Sequence, residues 1–206
     1  MSLNLYSVLK NSYSTRDKQK KKFANQGYVY DGDLSTNEHQ VYFNPKDKKL
    51  LYTVKGTNPF SIKDIGTDIY LATGHLKDTD RFKQEKATLE KARKRYNPSN
   101  TTVSGHSLGM TLSQYIAGKN DKVIGLDGGA TIGQKMRSNT TAYRSSGDVV
   151  SGLNANSKHM TTLKRPSGIG MNRTIGLLAG GPIGGLIGGA LDAHDINNIK
   201  KSNIMV

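Results

Sequence analysis

The chain has no cysteine and no tryptophan among its 206 residues. Without cysteine there can be no disulfide, no Cys-ligated zinc and no thiol nucleophile, so stability must come from a packed core. Carboxylates are also scarce: 16 Asp and Glu stand against 30 Lys and Arg, a formal net charge of +14. An excess of this size serves solubility or contact with something anionic, such as a lipid surface, nucleic acid or an acidic protein. The opening residues, "MSLNLYSVLKNSYSTRDK", lack the apolar run of a signal peptide. A reducing compartment, a particle interior or peripheral attachment to a membrane all fit these absences.

The length suits one domain with an appendage. Residues 1–30, which include "RDKQKKK", read as a basic N-terminal helix or arm, and 31–206 as the domain. In "HQVYFNPKDKKLLYTVKGT", Val41 and Phe43, then Leu51 and Thr53, alternate with polar neighbours around turn-forming Asn, Pro and Asp, which predicts a β-hairpin. A helix is expected from about Ile62, capped at Gly74. A second spans 77–96, with Phe82, Leu89, Ala92 and Tyr96 on one face and Asn97-Pro98 as the stop. Between 81 and 95 it carries seven Lys or Arg against two Glu, so one side is strongly positive.

Further on, "NTTVSG", "DKVIGLDGG" and "TTAYRSSGDVV" read as strands, "SLGMTLSQYIAG" as a helix and "HMTTLKR" as a fourth strand. Strands alternating with helices predict a largely parallel α/β sheet. The stretch 174–191, "TIGLLAGGPIGGLIGGAL", has no charge and seven glycines among its eighteen residues. It admits three readings: a buried Gly-rich loop or hairpin, a membrane-inserting segment, or a flap over a site.

Residues Gly105-His106-Ser107-Leu108-Gly109 match the G-x-S-x-G nucleophile elbow. In a chain with 23 glycines the five residues alone mean little. Their context adds weight, since a β-prone "TTV" precedes them and a helix-prone run follows. A Ser on such a strand-to-helix turn has its hydroxyl exposed, and the helix N-terminus turns free N–H groups toward it, with Leu108 N–H able to hold an oxyanion. A serine also needs a base. Of the five histidines, His39 and His75 precede the serine, against the Ser…Asp…His order of this elbow, and His106 packs beside the turn. His194 and His159 remain, His194 being preferred. Asp148, closing an apparent strand, is the preferred acid, and Asp127, closing the strand before it, is the alternate. A second oxyanion donor is expected from Lys55-Gly56-Thr57, where the hairpin runs out.

"YTVKGTNPFSIKDIGTDI", the complete G-H-S-L-G elbow and "GDVVSGL" together resemble the class 3 lipases over about residues 40–155. Lys55 stands where that family usually has Arg, and no aromatic lid helix is visible. The resemblance implies a compact α/β-hydrolase fold, a mostly parallel sheet flanked by helices. It implies Ser107 as nucleophile, Asp148 as orienter, His194 as base, and Thr57 and Leu108 as the oxyanion hole. It implies a lipid or other ester substrate, with no metal and no cofactor. The Lys- and Asn-rich, Cys-free form is similar to hydrolase-like proteins of large DNA viruses or phages. The charge and the glycine segment favour a second expectation, a catalytically silent, membrane-associated or structural module, a virion component among the options, with an assembly partner. Nucleic acid is not expected as a partner, because no recognised motif accompanies the basic runs.

Overall fold

A computed structural model describes residues 2–56, 76–129, 136–148, 151–152, 157–164 and 193–206. Seven strands form one sheet in sequence order: β1 (Val29–Tyr30), β2 (His39–Asn44), β3 (Lys49–Val54), β4 (Asn100–His106), β5 (Lys122–Leu126), β6 (Thr140–Ser145) and β7 (Met160–Leu163). β1, β2 and β3 are antiparallel, and from β3 onward each neighbouring pair is parallel. The expected hairpin is β2–β3, in register from His39↔Val54 to Asn44↔Lys49, with Lys48 at φ 48 in its turn.

Successive side chains on a strand leave opposite faces, so a strand buried on both sides reads as a continuous apolar run. On β3, Leu50 and Tyr52 pack in one core cluster and Leu51 in another; on β5, Val123 and Ile124 divide the same way. One face is covered by α3 (Asp80–Tyr96) and α4 (Leu108–Ile116), through Phe82, Leu89, Ala92, Met110, Leu112 and Ile116. The other is covered from the N-terminal segment. Leu5 and Leu9 of α1 (Leu5–Asn11) meet Ile124, Leu126, Ile196 and Ile199, while Leu3, Val8 and Phe23 meet Tyr42 and Leu51. The basic stretch 1–30 thus contributes apolar residues to the core. Its charge gathers on α2 (Arg16–Lys21).

The long helix begins at Asp80, because the Thr79 hydroxyl accepts from Phe82 N–H, and it ends at Asn97 in the left-handed region (φ 40). Residues Leu76–Asp78 of the expected helix form a 3₁₀ turn instead. The helix expected from Ile62, its Gly74 cap and the glycine-rich 174–191 lie outside the described residues. Among the described residues no helix is long and apolar enough to cross a membrane. A mostly parallel sheet with helices on both faces and a strand–Ser–helix turn at its centre is an α/β-hydrolase fold.

Candidate active site

Ser107 sits between β4 and α4 at φ 57, ψ −129. A non-glycine residue there carries about 1–3 kcal/mol of strain and persists only where its surroundings hold it. Ser107 N–H donates to Leu126 O at 3.0 Å, and Ser107 O accepts from Met110 and Thr111 N–H at 3.0 and 3.1 Å. The flanking glycines let backbones touch. A methyl on Gly105 would collide with Gly109, and one on Gly109 with the Val54 carbonyl of the neighbouring strand. Leu108 opens α4, where an N–H has no intrahelical acceptor. Gly56 follows β3 by two residues, and a methyl on it would lie 3.1 Å from the Ser107 Cβ. Thr57 lies outside the described residues.

His194 and Asp148, 46 residues apart, meet at 2.8 Å between Nδ1 and Oδ1, both buried. Ser151 donates to the other Asp148 oxygen from its N–H (2.8 Å) and its hydroxyl. Burial pushes the Asp148 pKa up, but the His194 bond and charge and the Ser151 donors outweigh it, leaving the carboxyl below its usual range. Burial pulls His194 down, while the Asp148 bond and charge bring it above 6.5. An imidazole bonded to a carboxylate through Nδ1 presents Nε2 as its free nitrogen. His194 Nε2 and Ser107 Oγ are both buried and have no hydrogen-bond partner among the described residues. In substrate-free sites such bonds are often long and tighten only around the reacting group.

His106 lies closer to this pair than the sequence reading suggests. Its ring is 5.0 Å from that of His194, and its Nε2 lies 3.1 Å from His194 O. A carbonyl only accepts, so Nε2 carries the proton and Nδ1, 3.0 Å from the Tyr13 hydroxyl, accepts. Burial and the neighbouring His194 press its pKa to about 3. With both nitrogens occupied, His106 is a neutral strut. His159 is half-buried beside β7, its carbonyl accepting from Ala142 N–H. Among the described residues no hydrogen bond or ion pair joins it to Ser107 or Asp148. His39, paired with Val54 across the hairpin, is buried against Glu85, and His75 lies outside the described residues.

Asp127, the alternate acid, is fully buried at φ 52 and accepts from Ser145 N–H (2.7 Å) and its hydroxyl (3.2 Å). Burial and the nearby Asp148 carboxylate raise its pKa to about 7. With Asp148 held ionised by His194, Asp127 is the carboxyl that keeps a proton. Its folded pKa exceeds the unfolded value of 3.8, so the folded state holds the extra proton between about pH 4 and pH 7, and this group's stabilisation is lost as pH rises through that window. Asp127→Asn should therefore gain stability relative to wild type as pH climbs from about 4 to about 7, read from paired thermal melts. A melting difference independent of pH would refute this.

His106, Asp127 and His194 are the one described group with metal-ligand spacing, their ligand atoms within 4.8 Å of one another. Both His106 nitrogens and the His194 Nδ1 already hold hydrogen bonds, so a metal would have to break one. The set fits proton chemistry better than a metal.

No protein-family model matches the chain, and no curated protein matches it. Among solved structures it is similar to a mutant form of MDLA from Penicillium cyclopium, 12% identical with a TM-score of 0.48 over 80% of this chain and 77% of that one. It is similar also to the Lip2 lipase of Yarrowia lipolytica, 16% identical with a TM-score of 0.42 over 70% of this chain and 72% of that one. A Rhizomucor miehei lipase propeptide complex is 13% identical, with a TM-score of 0.46 over 73% of this chain and 62% of that one. All three are fungal, and none bears on the likeness to viral or phage proteins.

Proposed function

We propose that the protein is a serine ester hydrolase of lipase type, with Ser107 as nucleophile, His194 as base and Asp148 as orienter. The observation that carries this reading is the buried Asp148–His194 pair, its imidazole 5.0 Å from the ring of His106, the residue that precedes a serine held at a strained elbow. Ser107 Oγ attacks the ester carbonyl carbon and gives its proton to His194 Nε2. The oxyanion is held by Leu108 N–H, with Thr57 as the second donor. His194 then returns the proton to the departing alcohol. Water, deprotonated by the same nitrogen, splits the acyl-enzyme and restores the serine. None of these steps needs a metal or cofactor.

Acylglycerol or phospholipid is the substrate class favoured by the class 3 resemblance and by the surface charge. Lys10, Lys18, Lys21 and Lys22 line a depression of about 600 Å³ around α1 and α2, with Asp17 the one carboxylate among its lining residues. Such a surface attracts an anionic interface at about 1 kcal/mol per cation, an attraction that salt weakens. The silent-module reading draws on the burial of Ser107, which is 1% exposed.

A fluorophosphonate probe separates the two. We expect it to label Ser107, identified by peptide mass spectrometry, and anionic vesicles to speed the labelling at low salt. No label on Ser107 with or without vesicles would remove the hydrolase reading and leave the silent module.

A further inference from the structure

Tyr13 lies at the end of the N-terminal helical segment, 93 residues from His106, yet its hydroxyl stands between two parts of the site. Gly56 N–H donates to Tyr13 Oη at 3.2 Å. Tyr13 O–H donates to His106 Nδ1 at 3.0 Å, and His106 Nε2–H donates to His194 O at 3.1 Å. The direction of this chain is forced at both ends, because an amide N–H only donates and a carbonyl only accepts. Neither middle member changes protonation near neutral pH. Burial lifts the Tyr13 pKa to about 12 and holds that of His106 near 3.

From the geometry we propose that Tyr13 is a positioning residue. Its hydroxyl sets the oxyanion stem at Gly56 and the main chain of the base at His194 relative to one another. The proposal rests on the ester-hydrolase reading above. The two segments it joins, around Gly56 and His194, lie on either side of the nucleophile elbow in the sequence. A methyl on Gly56 would strike His106 O and the Tyr13 hydroxyl, at 2.5 and 2.9 Å, so the stem is seated directly on this chain. Its other side is held by Arg81 of α3, whose Nη2 donates to Lys55 O at 3.1 Å. Lys55 folds back over the Tyr13 ring, its Nζ 5.3 Å from the centroid. The peptide between Lys55 and Gly56 is thereby gripped at its carbonyl by one side chain and at its N–H by another. Thr57, the proposed second oxyanion donor, follows immediately. Catalytic donors must sit within tenths of an ångström of the developing charge, and a shift of about 1 Å costs about 10²-fold in rate.

Tyr13→Phe keeps the ring and removes the hydroxyl. We expect kcat on a soluble ester to fall about 10- to 100-fold with KM within about twofold, because transition-state geometry is lost and substrate binding is not. The melting temperature should stay within a few degrees of wild type. Exchange of the Gly56 amide, followed by NMR, should quicken by about tenfold once its acceptor is gone. Unchanged kcat, or a change confined to KM, in a folded variant overturns the positioning role. Unchanged Gly56 exchange overturns the hydrogen-bond chain itself. A wild type inert to esters and to the Ser107 probe would refute the hydrolase reading and with it the positioning role, while the exchange result would still decide whether the Tyr13 chain exists.

Discussion

Ser107→Ala is expected to reduce turnover of short-chain p-nitrophenyl esters by about 10⁴-fold or more, and His194→Ala by a similar factor. The double variant should be no worse than either alone, because a nucleophile and its base act as one unit. Neither loss should come from unfolding. The Ser107 hydroxyl is buried without a hydrogen-bond partner among the described residues, so its removal relieves a desolvated group. The Ser107→Ala melting temperature should match or exceed that of wild type. His194→Ala is different, since it leaves the ionised Asp148 without the imidazole that holds its pKa down, and some stability should go with it. Steady-state kinetics with circular dichroism on the three variants checks all of this. Turnover surviving in a folded Ser107→Ala protein would exclude that serine as the nucleophile.

Glu85→Gln is expected to cost about 3 kcal/mol of stability, a fall in melting temperature on the order of 10 °C. Glu85 is completely buried on α3. Its carboxylate accepts from Tyr52 Oη at 2.7 Å and Arg81 Nε at 2.7 Å and lies 3.1 Å from His39 Nδ1. Desolvation alone would raise its pKa. The bond and charge of His39, then Arg81 and Tyr52, outweigh it, and the net direction is below 4.5. A depressed folded pKa contributes stability that is fully present above about pH 4.5 and is lost as pH falls through the folded value. The gap between wild type and Glu85→Gln should thus be widest near neutral pH and close on acidification below about pH 4.5. Melts across that range test it, and a variant as stable as wild type at neutral pH would show that the network contributes nothing net. Arg81 also donates to Lys55 O, so the loss of Glu85 should loosen the backbone at Lys55 as well.

Much of this architecture is readable in local sequence, for local reasons. The hairpin follows from alternation around "NPKDKK", and α3 from helix formers with Phe82, Leu89 and Ala92 on one stripe. The elbow is a five-residue pattern whose glycines are required by backbone contact at Gly105 and Gly109. Glu85 was within reach of the same reading: it lies three residues after Phe82 and four before Leu89, on the buried stripe. In the N-terminal segment the charge of "RDKQKKK" masks the apolar spacing of Leu5, Val8 and Leu9, which face the core.

Ranking the two acids was a different kind of problem. Asp127 and Asp148 follow neighbouring parallel strands, so the sheet delivers both to the same end. Each closes its strand, so strand position alone does not rank them. The structure turns Asp127 onto Ser145 and leaves Asp148 for His194. The Tyr13–His106–His194 chain has no local signature at all, since its members are 93 and 88 residues apart.

By itself the sequence determined the hairpin, the long helix, the parallel strands with the elbow between them, and the short set of residues able to carry proton chemistry, because backbone periodicity and turn chemistry act over a few residues. Only the tertiary structure decided which carboxylate meets which imidazole, and that Glu85, Tyr13 and His106 stand behind the site. Those choices depend on where the C-terminal ends of parallel strands converge, which contacts between distant segments set.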